Sequence, residues 1–144
     1  MGESKPLAEG EGKDAGMGKG NGGRRVNIHV GEVTIESVWN ASQTAERIAA
    51  ALPIEASGNY WGGEIYFEIP VSADYEPDAR DEVDPGTVAF WPAGNCLCVF
   101  WGRTPASRGN ECRAASDVNI VGRVLNPEVL PALKARKVRV AAAD

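Results

Sequence analysis

The stretch NYWGGEIYFEIP, residues 59–70, places Glu64, Tyr66 and Glu68 at alternate positions behind a Trp61-Gly62-Gly63 corner. That alternation is the signature of a β-strand with Ile65, Phe67 and Ile69 on its other, apolar face. Carboxylates beside a phenol and an indole are the materials of a recognition site, because the rings supply apolar area while the polar atoms fix orientation. The plain alternative is a solvated outer face, most of all for Glu68. FWP at 90–92 and FWG at 100–102 add four aromatics on strands expected to be neighbours. Parity turns Phe90 away from Trp91 and Phe100 away from Trp101, so one ring of each pair fills the core and one faces outward. Parity does not say which member of each pair faces outward; Trp91 and Phe100 are carried as candidates, with Arg103 and Thr104 next in the chain. An outward aromatic cluster calls for a ligand or a cover, and the first helix is the candidate cover.

The other reactive side chains assemble less well. Cys96 and Cys98 share one strand face, Cys112 follows, and His29 is the one imidazole. Zinc sites draw four N or S ligands from closely spaced pairs, and a cysteine nucleophile needs a base within hydrogen-bonding reach. Neither condition is met by spacing, so the three thiols are read as reduced and buried. The acidic segment YEPDARDEVDPG lacks the ligand spacing of a dedicated calcium loop. Gly18, Gly20 and Gly23 satisfy G-x-G-x-x-G, but no strand precedes them. No metal and no cofactor is expected.

The elements that must position these residues follow from periodicity. Residues 1–23 hold eight glycines and seven charges with almost nothing apolar, which reads as a flexible tail before a single domain at 24–144. Val26, Ile28 and Val30, then Val33 and Ile35, alternate about a turn at Gly31. In NASQTAERIAAALP, Ala45, Ile48, Ala49 and Leu52 form a helical stripe, with Asn40 and Gln43 resembling a capping box and Pro53 as the stop. Further strands are expected at 64–69, 87–91, 96–101, 118–124 and 137–142. Residues 71–83 and 102–116 read as long loops, and PEVLPALKAR as a second short helix begun by Pro127. The predicted fold is mainly β, an antiparallel barrel with two short flanking helices.

A net charge of −5 argues against a nucleic-acid partner that needs its phosphates neutralised. No apolar run approaches the roughly 20 residues of a membrane span, and the N-terminus shows no signal-peptide core. The opening Met-Gly lacks the Ser or Thr of a myristoylation signal, having Pro6 in its place. A cytoplasmic protein is expected, with no membrane association.

ALPIEASGNYWGGEIYFEIP, PGTVAFWPAGNCLCVFWGRTPAS and SDVNIVGRV, taken in order, resemble the small prokaryotic cyclophilin-like family of uncharacterised proteins over about residues 25–142. The resemblance implies a closed, eight-stranded cyclophilin-like barrel. It does not carry over the isomerase site. Where cyclophilins have an active-site His before the strand matched by Asn119 to Val124, this chain has Val118, and the floor of their proline pocket falls near Cys98. Their catalytic arginine strand has no counterpart, since WGGEIYFEIP offers Glu64 and Glu68 where a cation is wanted.

The expected function is therefore a barrel that binds a small molecule or an extended peptide through Trp61, Glu64, Tyr66, Trp91, Phe100, Arg103 and Thr104. One alternative is an atypical peptidyl-prolyl cis-trans isomerase with a rearranged site around Arg103, Arg113 or Arg123. Another is a regulatory or accessory subunit of a larger enzyme, because the wider superfamily includes domains of bacterial oxoprolinase-type assemblies, and that would require a protein partner.

Overall fold

The computed structural model describes residues 23–143. The tail expected over 1–23 and the glycine spacing within it fall outside them, Gly23 excepted. The elements in chain order are β1 (Arg24–Val30), β2 (Val33–Trp39), helix α1 (Gln43–Ala50), β3 (Ile54–Ser57), β4 (Asn59–Tyr60), β5 (Glu64–Glu68), β6 (Arg80–Val83), β7 (Thr87–Trp91), β8 (Cys96–Phe100), β9 (Cys112–Val124), a 3-10 turn (Pro127–Ala132) and β10 (Lys137–Ala142).

All pairings are antiparallel. They form one sheet of ten strands in the order β3-β10-β1-β2-β9-β7-β8-β5-β4, with β6 paired to β9 off this path. The expected closed, eight-stranded barrel is corrected on both counts: the sheet has ten strands, and its path is not closed. Its two end strands, β3 and β4, are consecutive in the chain and separated by Gly58 alone. A side chain at Gly58 would meet Ile65 Cδ1 at 2.9 Å. The three unforeseen strands are short: IEAS, NY and RDEV carry few of the β-branched and aromatic residues that announce a strand.

The inner face follows the alternation in the sequence. Val26, Ile28, Ile35, Ile65, Phe67, Phe90, Leu97, Val99, Val138 and Val140 are sealed in one apolar core. Helix α1 contributes Ala45 and Ile48 to that core. Its N-cap is Ser42, which accepts from the Ala45 N–H at 3.2 Å. Asn40, expected as the cap, instead accepts from the Ser42 N–H at 3.0 Å and donates to the Ile120 carbonyl at 2.9 Å. The second helix is a 3-10 turn holding Pro131, which lacks the N–H a longer helix would need.

Two polar details tie the helix down. Asn119, fully buried, donates to Thr44 Oγ1 (3.0 Å) and to the Asp74 carbonyl (2.9 Å), and accepts from the Glu76 N–H (2.8 Å). The Glu76 carboxylate accepts from the Thr44 hydroxyl and N–H at 2.6 and 3.0 Å, and these bonds, the hydroxyl first, hold its pKa below the usual carboxylate value.

Candidate functional site

Strands β5, β8 and β7 present a second face, outside the core, and the register lines its residues up in rows. Glu68, Cys96 and Trp91 form one row; Tyr66, Cys98 and Ala89 the next; Glu64 and Phe100 the third. Trp61 extends the third row, because its N–H donates to the Glu64 carbonyl at 3.0 Å across a two-residue Gly62-Gly63 turn. Gly62 has a φ of 63°, a backbone conformation that suits this hairpin turn and that side chains resist. The turn also lies against another chain segment. A Cβ on Gly63 would stand 2.6 Å from the Gly102 backbone, and one on Gly62 2.6 Å from the Arg103 carbonyl oxygen. Both glycines therefore have a packing reason, and the Gly63 N–H donates to Arg103 O at 2.6 Å.

The register divides the seven residues singled out in the sequence. Glu64, Trp61, Tyr66 and Phe100 are immediate neighbours at one corner. Trp91 stands at the opposite corner, two strands and two rows away, roughly 16 Å along the sheet. There its indole N–H donates to Ser116 Oγ at 2.7 Å. Arg103 is exposed. Thr104 is buried, and its hydroxyl donates to the Arg113 carbonyl and accepts from the Ala106 N–H at 3.1 Å. That threonine joins the 102–111 loop to the start of β9.

The face is covered, but not by the first helix as expected. Beyond the irregularity between Arg113 and Val118, β9 runs on to Cys112, paired with β6 through Cys112–Val83 and Arg113–Glu82. The apolar side of this arm, Val83, Cys112, Ala114 and Val118, packs with Ala89, Cys96, Cys98 and Phe100 in a second cluster, edged by Tyr66 and Trp91. On the arm's other side Arg113 is gripped by Asp81 and Glu111, both at 2.9 Å, and by Glu82 at 3.4 Å. Glu111 also accepts from the Arg108 and Gly109 N–H groups at 2.8 Å, and these bonds, that of Arg108 first, lower its pKa to about 2. The arm was legible only indirectly: CLCVF is apolar at every position, which marks a strand buried on both faces.

Glu64 is the anomaly of this face. Its residue is 5% exposed, and burial raises its pKa to about 7. No Lys, Arg or His is ion-paired with it among the described residues. The Cys98 thiol adjoins it and works against that rise, but the thiol has one proton to give and its hydrogen bond, at 3.8 Å, goes to the Cys96 carbonyl oxygen. Desolvation and the adjoining Glu64 in turn push the Cys98 thiol well above its ordinary value, so it is not a thiolate nucleophile. The three cysteines are free and buried. Among the described residues no group of three or more His, Cys, Asp or Glu is placed to hold a metal ion. His29 pairs with Thr34 Oγ1 at 3.0 Å on β1, away from every cysteine by register. No helix among the described residues is long and apolar enough to cross a membrane.

Comparison with known proteins bears on the fold. The model of the family described as cyclophilin-like matches residues 24–141. The solution structure of a hypothetical protein from Archaeoglobus fulgidus superposes with a TM-score of 0.72 at 35% sequence identity, covering 87% of this chain and 100% of that one. No curated protein matches the chain.

Proposed function

Because the chain belongs to the cyclophilin-like family, whose barrel does not by itself fix a chemistry, we propose from its own residues that it is a binding protein for a small molecule or an extended peptide, without the standard prolyl isomerase site. The observation that carries this reading is the corner formed by Trp61, Glu64, Tyr66 and Phe100. It holds a buried carboxyl with one weak, shared partner, ringed by aromatic groups. A buried polar group of this kind costs stability unless something compensates it, and such sites of unfavourable burial gather where proteins bind or react. Tyr66 and Trp61 are only partly buried, and their edges are the side of the corner that faces solvent. Arg103 stands at the rim, while Thr104 and Trp91 hold the surrounding backbone and arm.

The test is a pair of measurements on the full chain. Proline-containing tetrapeptides and small aromatic compounds are titrated while the amide spectrum is recorded, and isomerisation of the same peptides is followed. Shifts centred on Trp61, Gly63 and Tyr66, weakened by Glu64→Ala and by Tyr66→Phe, with no acceleration of isomerisation, are expected. Acceleration that depends on Arg103 or Arg113 would replace this reading with the isomerase one.

A further inference from the structure

Resting on that reading of the corner, we infer the chemical class of what it recognises: the Trp61, Glu64, Tyr66 and Phe100 corner takes an organic cation, a primary or methylated ammonium group presented by a small molecule or a peptide side chain.

The argument starts from what the corner lacks. Glu64 is paired across the ladder with Phe100 on one side and with Trp61 on the other, and Tyr66 is its neighbour two positions along the strand. Neighbouring strands lie about 4.8 Å apart and same-face neighbours on one strand about 6.6 Å apart. Register therefore puts three rings beside the carboxyl-bearing position: Phe100 is fully buried in the second cluster, while Trp61 and Tyr66 are partly exposed and are the two that offer a ring face to a cation. The ring faces are electron-rich, and a cation beside Glu64 favours the ionised form that burial disfavours, so these groups favour one kind of guest.

No described residue supplies that guest. Arg113, the arginine most withdrawn from water among the ion-paired residues, is held by Asp81, Glu82 and Glu111. Arg136 on the β4 side donates to Asn59 Oδ1 at 3.2 Å, next to Tyr66 in register. Arg103 is exposed, with its carbonyl rather than its guanidinium against the Gly62-Gly63 turn. The Cys98 thiol is a neutral donor and does not balance charge. An anionic ligand would meet Glu64 and the Trp61 and Tyr66 ring faces, and a neutral one would leave the Glu64 carboxyl without the counter-charge its ionised form needs.

The test uses two isosteric pairs: choline against 3,3-dimethylbutan-1-ol, and n-butylammonium against butan-1-ol. Each is titrated into the full chain while the Trp61 indole N–H and the Gly63 amide are followed by NMR. The cations are expected to shift both signals and to bind more tightly than their neutral partners. Glu64→Gln, which keeps the shape of the side chain, should weaken the cations about tenfold or more and leave the alcohols unchanged. Trp61→Leu, at a partly exposed position, should weaken choline roughly threefold. Alcohols that bind as tightly as the cations, with Glu64→Gln silent, would overturn the cation assignment and leave the binding corner standing. No shift at Trp61 or Gly63 with any of the four compounds would overturn both.

Discussion

Asn119 and Glu64 are both polar and both removed from water, yet they sit in opposite circumstances. Asn119 uses both amide protons and its carbonyl oxygen, on Thr44, Asp74 and Glu76. It joins β9, the 71–79 loop and helix α1 in one satisfied knot. Glu64 has a thiol it shares with a backbone carbonyl, and no cation. The first arrangement is what a buried polar group looks like when its work is structural. The second stores unfavourable free energy at a spot lined with aromatic rings, which is why the contrast directs attention to Glu64.

The satisfied end should carry the greater share of stability. Asn119→Ala leaves the Glu76 N–H, the Asp74 carbonyl and the Thr44 hydroxyl each without one partner. With about 1–3 kcal/mol for each buried group left unpaired and some relief from water, a loss of roughly 4 kcal/mol is expected in urea unfolding. A loss below about 1 kcal/mol would mean that the knot is not what holds α1 and the 71–79 loop in place.

At the other end the sign reverses. Glu64 has its pKa raised from 4.5 to about 7 by burial, so the folded protein keeps this proton longer than the unfolded chain does. Between those two values the folded state binds the extra proton, and stability falls as pH rises. Below pH 4.5 the site is neutral in both states, and above about 7 the penalty is complete, amounting to roughly 3 kcal/mol at 1.36 kcal/mol per unit. Glu64→Gln removes the ionisation and should be more stable than the wild type by about that much at pH 8, with the difference vanishing near pH 4. A variant that is less stable at every pH would show that the carboxyl is satisfied after all.

How far the two ends could be read from residues alone differs for a physical reason. The inner face was legible because strict alternation, as in Ile65, Phe67 and Ile69, follows from a strand's period of two. The facing of Glu64 and Tyr66 followed from the same parity, whereas parity said only that Phe90 and Trp91, and Phe100 and Trp101, face opposite ways; the pairing with β5 and β8 puts Trp91 and Phe100 on the face of Glu64. What parity does not carry is register. Only the pairing of Glu64 with Phe100 and of Trp91 with Cys96 shows that Trp91 lies at the far corner. The arm over the second cluster was read as loop because RDEV is charged and β9's first residues, Cys112 to Ser116, interrupt their alternation at an irregular step. Its burial depends on distant contacts, which no local propensity encodes. The closed barrel was not borne out for a related reason: the path ends at β3 and β4, paired only to β10 and to β5 respectively, and neither segment's composition announces a strand.

Arg113 sharpens the comparison from the arm's side. It answers three carboxylates while Glu64, on the neighbouring face of β5, has no cation. Arg113→Gln removes the charge and shortens the side chain, and leaves Asp81, Glu82 and Glu111 facing one another. Asp81 and Glu82 are well exposed, so screening keeps the effect on global stability small. The informative readout is local. Amide exchange at Cys112 and Val83 should quicken while that at Ile28 and Val140 in the inner core does not, as expected of a region that opens separately. Uniform quickening would make the arm part of the main cooperative unit.

The smallest expected effect tests whether the two aromatic corners of the outer face differ in kind. At the Trp91 corner the indole N–H is already bound to Ser116 Oγ, so Trp91→Phe removes one hydrogen bond and a ring edge at a half-buried place, worth about 1 kcal/mol. It should leave the choline response at Trp61 unchanged, because the corners are two rows apart. Trp61→Leu should do the reverse, lowering the ligand response with a smaller change in stability. If Trp91→Phe instead weakened choline as much as Trp61→Leu did, the arm anchored at Ser116 would be coupled to the Glu64 corner. The outer face would then act as one site spanning Trp91 to Trp61 rather than as a closed corner and an open one.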